Sequence, residues 1–156
     1  MTANSAHDSG SQVVTVRLGK EHYATHVSAF GHDLMADEPE DLGGTDLGPT
    51  PKNLLLSSLG ACTAITVRMY ADRKNWPLEE IDVELTQTQV HASECVDCGL
   101  DPDAKGSVTI LGVKIEFKGE LLTEEMKSRL LEIAQKCPVH RTIVDTTVIK
   151  TELKTS

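Results

Sequence analysis

The chain is poor in aromatic side chains, with one Trp, two Tyr and two Phe among 156 residues. No basic run with interleaved aromatics occurs that could track a phosphate backbone. The 15 Lys and Arg are outweighed by 24 Asp and Glu, a formal net charge of −9, so nucleic acid is not an expected partner. No Gly-x-Gly-x-x-Gly follows a strand-like run, so Gly43-Gly44 and Gly48-Pro49 read as turn punctuation rather than a phosphate cradle. The opening MTANSAHDSGSQ lacks the positive start and apolar core of a secretory signal and reads as a frayed tail over residues 1–10. The longest mostly apolar run, Leu54 to Tyr70, is interrupted by Ser57, Ser58, Thr63, Thr66 and Arg68, which favours a buried helix over a membrane span. A cytoplasmic protein with no membrane partner is expected. In a reducing compartment its four cysteines point to catalysis or metal binding rather than to a disulfide framework.

What is present fits one domain, residues 11–156, of the α+β class. Ser11–Leu18, Tyr23–Ala29 and the shorter Asp33–Ala36 read as strands of an N-terminal meander. The loop 38–51 follows, its Glu38, Glu40 and Asp41, with the preceding Asp37, reading as a solvated charged stretch. Pro51 suits the first turn of a helix that should run to about Arg73, where Asn75-Trp76-Pro77 stops it. Its Leu54, Leu55, Leu56, Leu59, Ile65, Val67 and Met69 cover nearly the whole circumference, so protein must surround it. Alternation at Ile81, Val83 and Leu85, and again at Val113, Ile115 and Phe117, predicts two half-buried strands. Thr123 with Glu124 and Glu125 opens a second helix that reaches Lys136, and Val144–Leu153 reads as a last strand.

Two groups of cysteines stand out. Cys137 precedes Pro138 and is a candidate N-cap, where unpaired N–H groups, the helix dipole and nearby Lys136, His140 and Arg141 favour thiolate over thiol. Cys62 lies in the apolar helix, where a free cysteine is ordinarily an inert core residue. Around it, Ser57, Ser58, Gly60, Ala61, Thr63 and Ala64 are small and leave room for a second element to approach. Cys62 and Cys137 can react as a pair only if the fold joins them, and spacing does not choose among the three complete pairings of four cysteines. In HASECVDCG, His91, Cys95 and Cys98 form an H-x3-C-x2-C arrangement that suits three ligands of a zinc ion, with Asp97, Asp101, His26 or His32 available as a fourth. The same two thiols also suit a redox dithiol, which the neighbouring Glu94 and Asp97 make a poorer nucleophile than Cys62 and Cys137, and a structurally idle loop is the third reading.

The segment GGTDLGPTPKNLLLSSLGACTAITVRMYADRKNWPLE, residues 43–79, followed by IAQKCPVHRTI, residues 133–143, resembles the OsmC/Ohr family, nearest its OsmC-like branch. The resemblance implies an OsmC-like fold: an intertwined homodimer whose curved, antiparallel-rich sheets wrap around central helices, with the active site at the subunit interface. It further implies a thiol-dependent peroxidase in which Cys62 attacks an organic hydroperoxide and becomes a sulfenic acid. Cys137 then resolves it to a disulfide, and a dithiol reductant, lipoylated protein in Ohr-type members, restores the pair. No cofactor is needed for that chemistry. In the family a glutamate just after the helix proline pairs with an arginine of the N-terminal hairpin. Here Lys52 and Asn53 occupy the candidate positions and Arg17 is the sole hairpin arginine. Arg17, Lys52, Asn53, His140 and Arg141 are therefore the candidate supporting residues. The departure at Lys52-Asn53 keeps an alternative in view, a metal- or small-ligand-binding member of the same fold with weak or no peroxidase activity.

Overall fold

The computed structural model describes residues 13–95, 98–99 and 105–154. The tail 1–10 and the candidate ligands Asp97 and Asp101 lie outside these residues. The architecture is α+β with antiparallel sheets, as expected. The described residues fall into two compact units, divided between Leu54 and Leu55.

The first unit is a three-stranded meander of β1 (Val14–Leu18), β2 (Thr25–Ala29) and β3 (His32–Ala36). Thr25, Val27 and Ala29 alternate with the more exposed His26 and Ser28, the period-two pattern of a strand with one covered face. Phe30 and Gly31, both at positive φ (52° and 80°), make the two-residue turn that joins the Ala29↔His32 pair. That backbone matches the twist of the flanking strands, although Phe is an unusual residue to adopt it.

The loop after β3 is organised by Asp37, which is 1% exposed. This corrects the reading of Asp37 as a solvated charge. Its carboxylate accepts the Thr45 hydroxyl at 2.6 Å and the backbone N–H groups of Glu38, Thr45 and Leu47 at 2.8, 3.1 and 3.2 Å. The Thr45 hydroxyl foremost, aided by those N–H groups and opposed by burial, holds the carboxyl below its ordinary 3.8, at about 2. A Cβ on Gly44 would overlap the Glu38 carbonyl, so the loop can close around Asp37 only with glycine there.

The second unit is built on α1 (Pro51–Lys74), whose N-terminal turn begins in the first unit. Asn75 at φ 53° leaves the helix, and its N–H and that of Trp76 return to Asp72 and Ala71 carbonyls at 3.0 and 2.9 Å, as the Asn75-Trp76-Pro77 signal predicts. Strands β4 (Glu80–His91) and β5 (Ser107–Lys118) pair antiparallel from Glu80↔Lys118 to His91↔Ser107. Helix α2 (Glu124–Ala134) is capped by Thr123, whose hydroxyl accepts the Met126 N–H at 3.2 Å. Val67 and Ala71 of α1 join Leu78, Leu122, Leu130 and Ala134 in the core, with Ile81, Ile115 and Phe117 of the hairpin packed against them. Arg129 of α2 donates to the Tyr70 hydroxyl at 3.3 Å, a contact that lowers the tyrosine's pKa.

Two elements differ from expectation within the single chain. By length and composition α1 is apolar enough to cross a membrane, yet only one stripe of it, Leu59, Gly60, Thr63, Val67 and Ala71, is buried, while Leu55, Ile65 and Met69 are exposed. Nor do residues 144–153 form a strand: Val144 ends a third helix, and no described residue pairs with the segment after it, where Val148, Ile149 and Leu153 are exposed. β-propensity supplies side chains suited to a sheet but not the neighbouring strand that a ladder requires.

The Asp37 geometry makes an acid-sensitivity prediction. A carboxyl whose folded-state pKa is depressed stabilises the fold above its ordinary value and loses that contribution as pH falls through the folded one. The Tm of the native chain should decline as pH drops from 3.8 towards about 2. Asp37→Asn should have a lower Tm at neutral pH and a shallower acid decline, and coincident profiles would contradict the assignment.

Candidate functional site

Chain direction after α2 is set by Cys137-Pro138. The Lys136 N–H closes on the Ile133 carbonyl at 2.9 Å, and α3 (Pro138–Val144) starts one residue beyond Cys137. Proline fits the first helical position because it brings no N–H to leave unpaired. Cys137 is the N-cap the sequence predicts: its sulfur accepts the His140 N–H at 3.2 Å, and the residue is fully buried.

The same sulfur meets α1. The Thr63 hydroxyl, on a residue 3% exposed, donates to Cys137 Sγ at 3.5 Å. Thr63 follows Cys62 directly, so the fold carries the second thiol to the helix that bears the first, at the adjoining residue. Cys62 is half-buried and Cys137 wholly so, and both are free thiols. Small residues allow close approach here, as expected: a Cβ on Gly60 would come to 2.5 Å from Leu85 Cδ1, so a larger residue would require the Leu85 side chain of β4 to move.

An apolar cavity of about 220 Å³ is lined by Leu59 of α1, Thr109, Leu111 and Val113 of β5, and His140, Ile143 and Val144. Neither this cavity nor a cleft of about 670 Å³ bordered by Tyr70, Trp76 and Arg129 is lined by a thiol. The smaller cavity is the one whose wall includes His140, the residue whose N–H donates to Cys137 Sγ.

The supporting candidates are distributed unevenly. His140 is half-buried in the cavity wall, whereas Arg141 is exposed and meets Asp145 at 3.9 Å, a surface pair of little energetic weight. Arg17, Lys52 and Asn53 belong to the first unit. Arg17 sits on β1 opposite His26 and is exposed, and Lys52 and Asn53 are exposed in the first turn of α1, where the Asn53 N–H donates to the Thr50 hydroxyl at 3.2 Å. That first turn contains no acidic residue.

The third group, His91, Cys95 and Cys98, comes together only in part. Cys95 and Cys98 are joined as a disulfide, while His91 Nδ1 lies 2.7 Å from the Ser93 hydroxyl. Among the described residues no cluster of three or more His, Cys, Asp or Glu side chains is arranged to hold a metal ion. Thr63 was not legible as a site residue, since its partner is 74 residues away; its one sequence signal is a hydroxyl next to Cys62 on a buried helix face.

Two free thiols, one on α1 and the other held to α1 through Thr63, mark a cysteine-bearing α+β protein. The family follows from comparison: the sequence matches the model for OsmC-like protein over residues 43–152, and the chain belongs to that family. Solved structures share its fold. An organic hydroperoxide resistance protein OsmC from Legionella pneumophila is 19% identical, with a TM-score of 0.61 over 88% of this chain and 92% of that one. An OsmC-like protein from Mycoplasma pneumoniae is 17% identical, with a TM-score of 0.65 over 88% and 90%. An organic hydroperoxide resistance protein from Elizabethkingia anophelis is 18% identical, with a TM-score of 0.61 over 89% and 92%. At these identities the likeness is one of fold. No curated protein matched the sequence.

The difference in burial predicts an order of reaction. Under native conditions a limiting thiol-alkylating reagent should modify Cys62 before Cys137, and both should react after unfolding. Peptide mass spectrometry that found Cys137 modified first, or both at equal rates, would contradict the burial of its sulfur.

Proposed function

We propose that the protein is a thiol-dependent peroxidase of organic hydroperoxides, with Cys62 as the attacking thiol and Cys137 as the resolving one. The observation that carries this reading is the contact of Cys137 Sγ with Thr63, the residue after Cys62. A half-buried thiol accessible to substrate, backed by a buried thiol, is the division a two-cysteine peroxidase requires. The apolar cavity that His140 borders suits the organic group of a hydroperoxide better than it suits hydrogen peroxide. Structural relatives named for organic hydroperoxide resistance support the same substrate class.

In the proposed cycle the Cys62 thiolate attacks the outer oxygen of the hydroperoxide. The O–O bond breaks, the alkoxide leaves and is protonated to the alcohol, and Cys62 becomes a sulfenic acid. The Cys137 sulfur then attacks Cys62 Sγ, the S–O bond breaks, water departs and the disulfide forms. An external dithiol returns both cysteines to thiols and is itself oxidised to a disulfide. The His140 N–H and the Thr63 hydroxyl, both donating to Cys137 Sγ, stabilise negative charge on that sulfur when it attacks and when it is released on reduction. The family's arginine–glutamate device has no carboxylate at Lys52 or Asn53, so oxidation of Cys62 is expected to be slower than in members that have it.

The working unit in this proposal is a homodimer. Leu55, Ile65 and Met69 on α1, with Val148, Ile149 and Leu153 in the C-terminal segment, leave more apolar surface uncovered than a soluble monomer favours. A second copy supplies both a cover for that helix face and a strand partner for the C-terminal segment.

Two measurements test this reading. One equivalent of cumene hydroperoxide should remove two free thiols per chain, and peptide mapping should find Cys62 joined to Cys137; consumption of peroxide with Cys62 still reduced would refute the assignment. Light scattering at micromolar concentration should give about twice the 16.9 kDa chain mass. A folded species of single-chain mass would dismiss the dimer.

A further inference from the structure

The peroxidase cycle uses two of the four cysteines and leaves Cys95 and Cys98 without a task. They lie at the tip of the β4–β5 hairpin. Beyond the last pair, His91↔Ser107, the Ala92 N–H still reaches the Gly106 carbonyl at 2.8 Å. A single 3-10 turn, Ala92–Glu94, then closes with the Cys95 N–H on the Ala92 carbonyl at 3.3 Å. Gly99, at φ +63°, adopts the left-handed backbone that bends the chain just after Cys98. The Cys95 and Cys98 Cα atoms are 5.5 Å apart, and the two sulfurs are bonded.

Two features distinguish this bridge from a structural staple. A disulfide stabilises chiefly by restricting the unfolded chain, and the effect grows with the loop it closes, so a bridge across two intervening residues restricts little. The hairpin is moreover held by continuous pairing from Glu80↔Lys118 to His91↔Ser107 and needs no clamp at its tip. Both cysteines are only half-buried, so an incoming sulfur can reach them. Two accessible, adjacent sulfurs that add little to the fold are suited to exchange.

We propose that Cys95 and Cys98 form a second thiol–disulfide exchange site, separate from Cys62 and Cys137, which accepts electrons from an external dithiol. A thiolate of the donor attacks one sulfur of the Cys95–Cys98 bond. That bond breaks, a mixed disulfide forms, and the other cysteine leaves as a thiolate. The donor's second thiolate attacks its own sulfur in the mixed disulfide and releases the remaining cysteine. Two electrons pass to the protein, the donor becomes a disulfide, and the donor's two protons end on Cys95 and Cys98.

The test uses the full chain and its Cys62→Ser, Cys137→Ser double variant, each equilibrated with graded ratios of reduced to oxidised dithiothreitol or glutathione, acid-quenched, alkylated and mapped by mass spectrometry. The peptide bearing Cys95 and Cys98 should convert from bridged to doubly alkylated in one two-electron transition at the same ratio in both proteins. The proposal is overturned by a bridge that persists in the folded protein at every ratio, or by thiols that never pair. It is equally overturned by zinc that co-purifies and shields both thiols, since His91, Cys95 and Cys98 would then be ligands. A midpoint that moves when Cys62 and Cys137 are replaced would show one coupled system instead of a separate site. Should the double variant fail to fold, a native-chain transition confined to Cys95 and Cys98, while Cys62 and Cys137 change at a different ratio, supports the proposal, and a single shared transition overturns it.

Discussion

The sulfur of Cys137 is the point on which the arrangement of the second unit turns. It accepts one hydrogen bond from its own helix, the His140 N–H, and one from Thr63 on α1. A buried thiol has few other ways to satisfy both donors, so the start of α3 is fixed against the long helix at the residue after Cys62. From that fixed start, α3 lays His140, Ile143 and Val144 along the apolar cavity opposite Leu59 and β5. The site thus derives its geometry from a helix cap, a local device, combined with one long-range contact.

The long helix serves two roles that draw on different faces. Its small residues let β4 approach at Gly60 and let Cys137 approach at Thr63, while Val67 and Ala71 enter the core with the hairpin and α2. The opposite face keeps Leu55, Ile65 and Met69 in solvent. A sequence apolar on all sides is costly for a chain that buries one stripe, and that cost is removed if another copy covers the rest. The same reasoning applies to Val148, Ile149 and Leu153, whose β-branched and leucine side chains have no neighbouring strand among the described residues.

Local signals were the legible ones. Pro51, the Asn75-Trp76-Pro77 stop, Thr123 and Cys137-Pro138 each fixed a helix boundary within a residue or two, because caps and prolines act over one turn. Alternation at Ile81, Val83 and Leu85 placed β4, although its extension to His91 through Thr86, Gln87, Thr88 and Gln89 rests on pairing with β5. Thr63 and Asp37 were not legible. The role of Thr63 depends on a partner 74 residues away, and Asp37 in a run of carboxylates looked solvated until Thr45 and Leu47 folded over it. The expected last strand has suitable side chains but no partner among the described residues of this one chain. In the cysteine-rich loop, spacing admitted zinc binding, redox chemistry and a structurally idle loop alike, and a short spacing cannot choose among them.

The central claim is that Cys62 receives oxygen and Cys137 removes it. The most direct measurement is to expose the Cys137→Ser protein to an organic hydroperoxide in the presence of a dimedone-type probe and locate the adduct by peptide mass spectrometry. With the resolving thiol gone, Cys62 should persist as a sulfenic acid and carry about one probe per chain, while the native chain, which closes its disulfide, should carry little. A folded Cys137→Ser protein whose Cys62 takes up no probe, with the hydroperoxide unconsumed, would contradict the account.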